Sequence, residues 1–213
     1  MSGLPVDQDA GGGRFPGFEV MAQSKHWDPV TRAVVASRVS MPPDIRFFSA
    51  TEEATAGALC DQLLGQREPP RIPVVNMIDA RLAEKQTDGW HYEAMGPDGE
   101  SWRESLAHLD ADARLRGGAS FAECTWDEQT AILQSIQDMG SHPWHGIPAD
   151  RAWSLWTRYA CTAFYSHPWA WAEIGFAGPA YPRGYKNMGV NRREHFEVRD
   201  ARPGQDPLRK DTP

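Results

Sequence analysis

Residues 49–65 read SATEEATAGALCDQLLG. Ser49 is followed three residues later by Glu52, the spacing of a capping box, in which each side chain satisfies the other residue's backbone N–H at a helix start. Ala56, Leu59, Cys60, Leu63 and Leu64 then recur at intervals of three and four, which places them on one face of a helix. Gly65 and the break Glu68-Pro69-Pro70 close the stretch, because proline cannot continue a helix and glycine favours its C-terminal turn. A capped, amphipathic helix is predicted, and the same grammar recurs four times downstream.

Pro73 opens a second segment with Val74, Ile78 and Leu82 on one face, and Gly89 is the expected stop. A third covers about 100–116, aligning Trp102, Leu106, Leu109, Ala113 and Arg116 before Gly117-Gly118. Ser120 with Glu123, and Thr125 with Glu128, repeat the capping spacing. The fourth segment follows over about 126–139, with Ile132, Leu133, Ile136 and Met139 as its stripe and Gly140 as its end. The turn SHPWHGIP leads into a fifth, about 149–165, whose broad face carries Trp153, Trp156, Tyr159, Ala160, Ala163 and Phe164. No long alternating run signals a strand. Five capped segments joined by Gly/Pro turns predict an all-α fold, a single helical domain over 44–190.

That domain ends in YSHPWAWAEIGFAGPAYPRGY, residues 165–185, with six aromatics, three glycines and three prolines. Pro168 suits the first turn of a short helix over about 168–173, and Pro179 and Pro182 forbid its continuation. An irregular aromatic loop follows, which is either folded onto its own core or covered by a partner. Glu173 lies amid aromatics, and a bond to Arg183 or to loop amides is its expected role; exposure and a place at a partner's site are the alternatives.

Residues 1–43 read as an extended arm. Gly11, Gly12 and Gly13 are flexible, and Pro5, Pro16, Pro29, Pro42 and Pro43 break helices. Phe15, Phe18, Val20, Met21, Trp27, Val30, Val34, Val35 and Val39 make the arm too apolar for a free tail. Asp28 as N-cap with Pro29 behind it predicts one helix over about 29–38. The arm straps either the protein's own surface or a partner. Residues 191–213 are a polar tail.

The net charge of −7 sits in the middle of the chain, where 44–190 carries −8, and argues against nucleic acid or an anionic membrane as partner. Cys60, Cys124 and Cys161 are too scattered for a CxxC motif and read as reduced, buried thiols that fill small apolar spaces. No apolar run reaches the ~18 residues of a membrane span, and the N-terminus lacks the pattern of a signal peptide. A cytoplasmic protein is expected, with export alongside a partner left open.

Motifs for chemistry are missing. There is no GxGxxG after a strand, no GxxxxGK[ST], no CxxCH and no GxSxG, so no cofactor is expected in this chain by these routes. His142, His145 and His167 are the remaining candidates; they sit around Pro143 and Gly146 and at the second SHPW turn, so they read first as turn or helix-end histidines, with ligands of a zinc-type site in a small metalloenzyme as the alternative.

The 165–185 segment, together with FFSATEEATAGALCDQLL at 47–64, resembles the gluconate 2-dehydrogenase subunit 3 family over about residues 45–190. The resemblance implies a non-catalytic small subunit whose partner is a large FAD-dependent subunit of the glucose-methanol-choline oxidoreductase type, acting on a sugar, glycoside or sugar acid. It implies a role in the folding, solubility or export of that partner. Many members begin with a twin-arginine export signal, and this sequence does not. Candidate partner-facing residues are Tyr165, His167, Trp169, Trp171, Glu173, Phe176, Tyr181, Arg183 and Tyr185, with Trp27 from the arm. A free-standing helical interaction protein is the third reading.

Overall fold

A computed structural model describes residues 14–40, 42–190 and 192–204. Gly11–Gly13 and Pro5 of the expected arm, and the end of the polar tail, lie outside these residues. The fold is all-α with one minor hairpin. A 3-10 helix, Val20–His26, precedes α1 (Pro29–Arg38), α2 (Ala50–Leu64), α3 (Val74–Ala83), α4 (Asp98–Leu115) and α5 (Trp126–Asp138). Strands β1 (Pro143–Trp144) and β2 (Ile147–Pro148) pair antiparallel before α6 (Ala149–Ser166) and α7 (Pro168–Glu173).

The chain divides into two compact units, one made of Met1–Met41 with Tyr165–Pro213 and the other of Pro42–Phe164. Residues 165–190 thus group with the arm, whose apolar side chains pack on Trp171 and Ala172.

In the Pro42–Phe164 unit the predicted stripes form the core. Leu59, Trp102, Leu109, Phe121, Ile132 and Trp156 are fully buried. Ser49 and Glu52 form the capping box of α2, and Thr125 and Glu128 that of α5. Buried polar groups tie the helices together. Thr55 donates to Asp110 (2.9 Å), which also accepts from Phe121 N–H (2.9 Å), and Trp156 Nε1–H donates to Ser105 Oγ (2.9 Å). Asp79, fully buried on α3, accepts from three successive backbone N–H groups, Arg46 (2.7 Å), Phe47 (2.8 Å) and Phe48 (2.8 Å).

Three local expectations are corrected here. Helix α3 stops at Ala83, well before Gly89, because Lys85 adopts a left-handed φ of 53° while Lys85 and Gln86 N–H bond back to Leu82 and Arg81. Ser120 with Glu123 opens no helix; the two side chains bond to each other in a turn that hands over to Thr125. The SHPWHGIP turn becomes the hairpin β1–β2, with His145 and Gly146 both at positive φ, the geometry of the tight primed turns. Met139 and Arg116 fall at helix C-caps and outside the buried stripes.

In the other unit, Val20, Trp27 and Val35 bury against Trp171 and Ala172, with Phe18 and Met21 packed beside them. Asp28 caps α1 by accepting from Val30 and Thr31 N–H. Arg14 pairs with Asp200 (2.7 Å), and Ala201 N–H bonds to Arg14 O. Over its described part, residues 14–40, the arm thus straps residues 165–204 of the same unit.

Candidate partner interface

Helix α7 has six residues, too short to persist alone, so its ends must be held. His167 is the N-cap and Pro168 the first residue. His167 Nδ1 accepts from Trp169 N–H (3.2 Å), which requires an unprotonated ring nitrogen. Burial pushes the His167 imidazole down to about 4, and the nearby Arg38 charge acts in the same direction against a bond to Arg38 backbone. Arg38 donates to Ser166 O (2.9 Å), and its guanidinium lies over the Trp171 ring. Trp171, only 5% exposed, donates its indole N–H to Tyr165 O (2.6 Å).

Past α7 the loop is shaped by close approaches that only glycine permits. A Cβ on Gly178 would sit 2.6 Å from Trp27, and one on Gly175 would sit 2.7 Å from Phe15, both at positive φ. Phe176 sets its ring edge-on to Trp171, with centroids 5.4 Å apart. Arg183 donates to Gln23 Oε1 (3.0 Å) and lies over the Phe196 ring at 3.8 Å. Glu194 accepts from the backbone N–H groups of Lys186 and Asn187 and pins the loop's far end.

The outcome sorts the ten candidate residues. Trp27, His167 and Trp171 are buried and shape the surface from beneath. Trp169, Glu173 and Arg183 are half-buried. Tyr165, Phe176, Tyr181 and Tyr185 are exposed, Tyr181 by 68%. The structure adds Ile174, Met188 and Val190, all exposed apolar residues. Without aromatic rings or helical spacing, these three gave no signal in the sequence beyond their hydrophobicity. The expected Glu173–Arg183 bond does not form; Arg183 Nη1 donates to Gln23, while its Nε and Nη2 are buried without a hydrogen-bond partner among the described residues.

The histidine alternative loses its geometry. His142 Nδ1–H donates to Met139 O (2.8 Å), His145 Nε2 meets Asp112 Oδ1 (2.7 Å) with its ring stacked on His108, and His167 caps α7. Among the described residues, no three His, Cys, Asp or Glu side chains are grouped to hold a metal. A cleft of about 700 Å³ in the Pro42–Phe164 unit is lined by Phe47, Leu82, Pro97, Arg46, Lys85 and Arg103, among others. Its two arginines pair with Glu84 and Glu52, and its buried Asp98 accepts from Tyr159 and Arg158. No nucleophile with an adjacent base lines it.

Residues 50–178, more than half of the chain, match the family described as gluconate 2-dehydrogenase subunit 3. The chain belongs to that family. No curated protein and no solved structure matches it. The gluconate 2-dehydrogenase subunit 3 match begins with α2 and ends at Gly178, so it includes α7 and Trp171. Trp27, Tyr181, Arg183 and Tyr185 lie beyond it, which makes the most exposed part of the aromatic loop a feature of this chain outside the matched region. The family is one of accessory subunits of gluconate 2-dehydrogenase.

Proposed function

We propose that this chain is the non-catalytic small subunit that binds and stabilises a large FAD-dependent dehydrogenase or oxidase of the glucose-methanol-choline type, acting on a sugar, glycoside or sugar acid. The observation that carries the reading is the run of exposed apolar side chains Ile174, Phe176, Tyr181, Tyr185, Met188 and Val190, within 17 residues of one fixed loop. Large exposed apolar patches on a folded chain mark interaction sites, and tyrosine and phenylalanine are favoured in them. Family membership supplies the kind of partner, a dehydrogenase subunit. The flavin and the oxidation step belong to that partner.

A cytoplasmic location, or one left only with the partner, is part of this reading. In support, Cys60, Cys124 and Cys161 are all free thiols, as a reducing compartment keeps them, although only Cys60 is buried as expected, with Cys124 half-buried and Cys161 exposed. Co-expression with a large FAD-dependent dehydrogenase of the glucose-methanol-choline type from the same genome tests the assignment. A yellow complex containing both chains is the expected product, and a small subunit that always purifies alone contradicts it.

A further inference from the structure

Arg183 stands in the loop between Tyr181 and Tyr185, both exposed. Its guanidinium lies over the Phe196 ring at 3.8 Å, and Nη1 donates to Gln23 Oε1 (3.0 Å). Nε and Nη2 are buried and have no hydrogen-bond partner among the described residues. These two N–H groups form one edge of the guanidinium fork, an edge that takes a carboxylate side-on through two parallel bonds. The acidic residues that follow Arg183 are engaged elsewhere. Glu194 holds the Lys186 and Asn187 N–H groups, Glu197 accepts from Glu194 N–H (2.6 Å), and Asp200 pairs with Arg14.

The unit that carries this loop also differs in charge from the rest of the chain. Residues 1–41 and 165–213 hold twelve lysines and arginines against ten acidic residues, whereas 42–164 hold ten against nineteen. The surplus gathers around Arg183: residues 181–204 hold six basic residues against three acidic, with Lys186, Arg192 and Arg193 exposed. A buried N–H group without an acceptor is a cost to the isolated chain, and native structures rarely keep one without a compensating contact. We infer that the catalytic subunit presents an acidic patch to this loop and seats an aspartate or glutamate side-on against the Nε–Nη2 edge of Arg183, displacing the exposed Tyr185 ring that packs with Arg183 on Phe196. This rests on the docking role assigned to the loop above and adds the chemistry of the opposing surface: apolar where it meets Ile174 and Phe176, acidic where it meets Arg183. Charge complementarity of this kind fixes register and speeds encounter as well as adding affinity.

The experiment compares the full-length wild-type chain with Arg183→Lys, Lys186→Glu/Arg193→Glu and Phe176→Ser/Tyr181→Ser. Each is measured alone by near-UV circular dichroism and for affinity against a large FAD-dependent dehydrogenase of the glucose-methanol-choline type from the same genome. Arg183→Lys keeps the charge but loses the fork edge. It should keep the wild-type spectrum and bind on the order of 10-fold or more weakly. Lys186→Glu/Arg193→Glu leaves Arg183 in place and should also weaken binding, and the wild-type affinity should fall as salt is raised. An altered spectrum or an unchanged affinity for Arg183→Lys would overturn the carboxylate seat. Unchanged affinity for Lys186→Glu/Arg193→Glu would overturn the acidic patch. In either case, binding abolished by Phe176→Ser/Tyr181→Ser would leave the docking surface standing, and unchanged affinity for that variant would overturn the docking surface itself. Binding of the lone wild-type chain to phosphatidylglycerol vesicles, lost in Lys186→Glu/Arg193→Glu, would assign the basic residues to lipid headgroups and overturn the inference.

Discussion

Two buried side chains, Asp79 and His167, have roles that the sequence does not display. Asp79 looks like any acidic residue on a helix, yet it is fully buried and collects three backbone N–H groups from residues 46–48. Its signal is tertiary, since the segment it holds lies more than 30 residues upstream. Asp79→Asn keeps the shape but turns an NH₂ group toward donors. Stability to urea should fall by about 1–3 kcal/mol, and an unchanged midpoint would mean those N–H groups find other acceptors. His167 was legible as a turn histidine but not as a buried cap. It titrates near 4 when folded and near 6.5 when unfolded. Between those values the unfolded chain binds the extra proton, so the contribution is complete above about pH 6.5 and is lost as pH falls toward about 4, by at most ~3 kcal/mol. His167→Asn retains a capping side chain without the titration. The stability gap between wild type and variant should therefore shrink from pH 7 to pH 4.5, and a gap independent of pH would contradict the buried neutral imidazole.

At the scale of elements, the helices were legible because their signals are local. The Ser49/Glu52 and Thr125/Glu128 boxes act within four residues, and both form as read. Ser49→Ala and Thr125→Ala should each cost about 1 kcal/mol. The caps belong to different helices, so the double variant should cost nearly the sum; a strongly sub-additive result in chemical denaturation would point to a shared site. Elements whose ends depend on backbone geometry were less legible. Helix α3 ends on Lys85 in a left-handed conformation, where glycine is the usual signal, and the β1–β2 hairpin turns on His145 at positive φ. The strap was half legible. Its apolar content was plain, but not that Trp27 rests on Gly178. Gly178→Ala places a Cβ 2.6 Å from Trp27 at φ +77°. A loss of at least about 1 kcal/mol is expected, with a changed tryptophan near-UV signal; a neutral outcome would mean that the arm does not seat there.

For the whole molecule, the all-α class and the family could be read in advance, because both rest on repeated or contiguous patterns. The grouping of residues 165–190 with the arm could not, since it arises from contacts between the two ends of the chain. Nor could the sorting of the aromatic loop, where Trp171 goes inside and Tyr181 outside around the glycine-permitted approaches two and five residues past α7. The account makes the outer half of that loop a docking surface for an FAD-bearing catalytic chain, and leaves the lone subunit without a flavin of its own. The most direct measurement is size-exclusion chromatography of the co-expressed pair, monitored at protein and flavin wavelengths, for the wild type and for Phe176→Ser/Tyr181→Ser/Tyr185→Ser. The account predicts that the wild-type chain co-elutes with flavin absorbance, while the triple variant, with an unchanged circular dichroism spectrum, elutes alone and colourless. Co-elution of the triple variant with undiminished flavin absorbance, or flavin bound to the isolated wild-type chain, would contradict it.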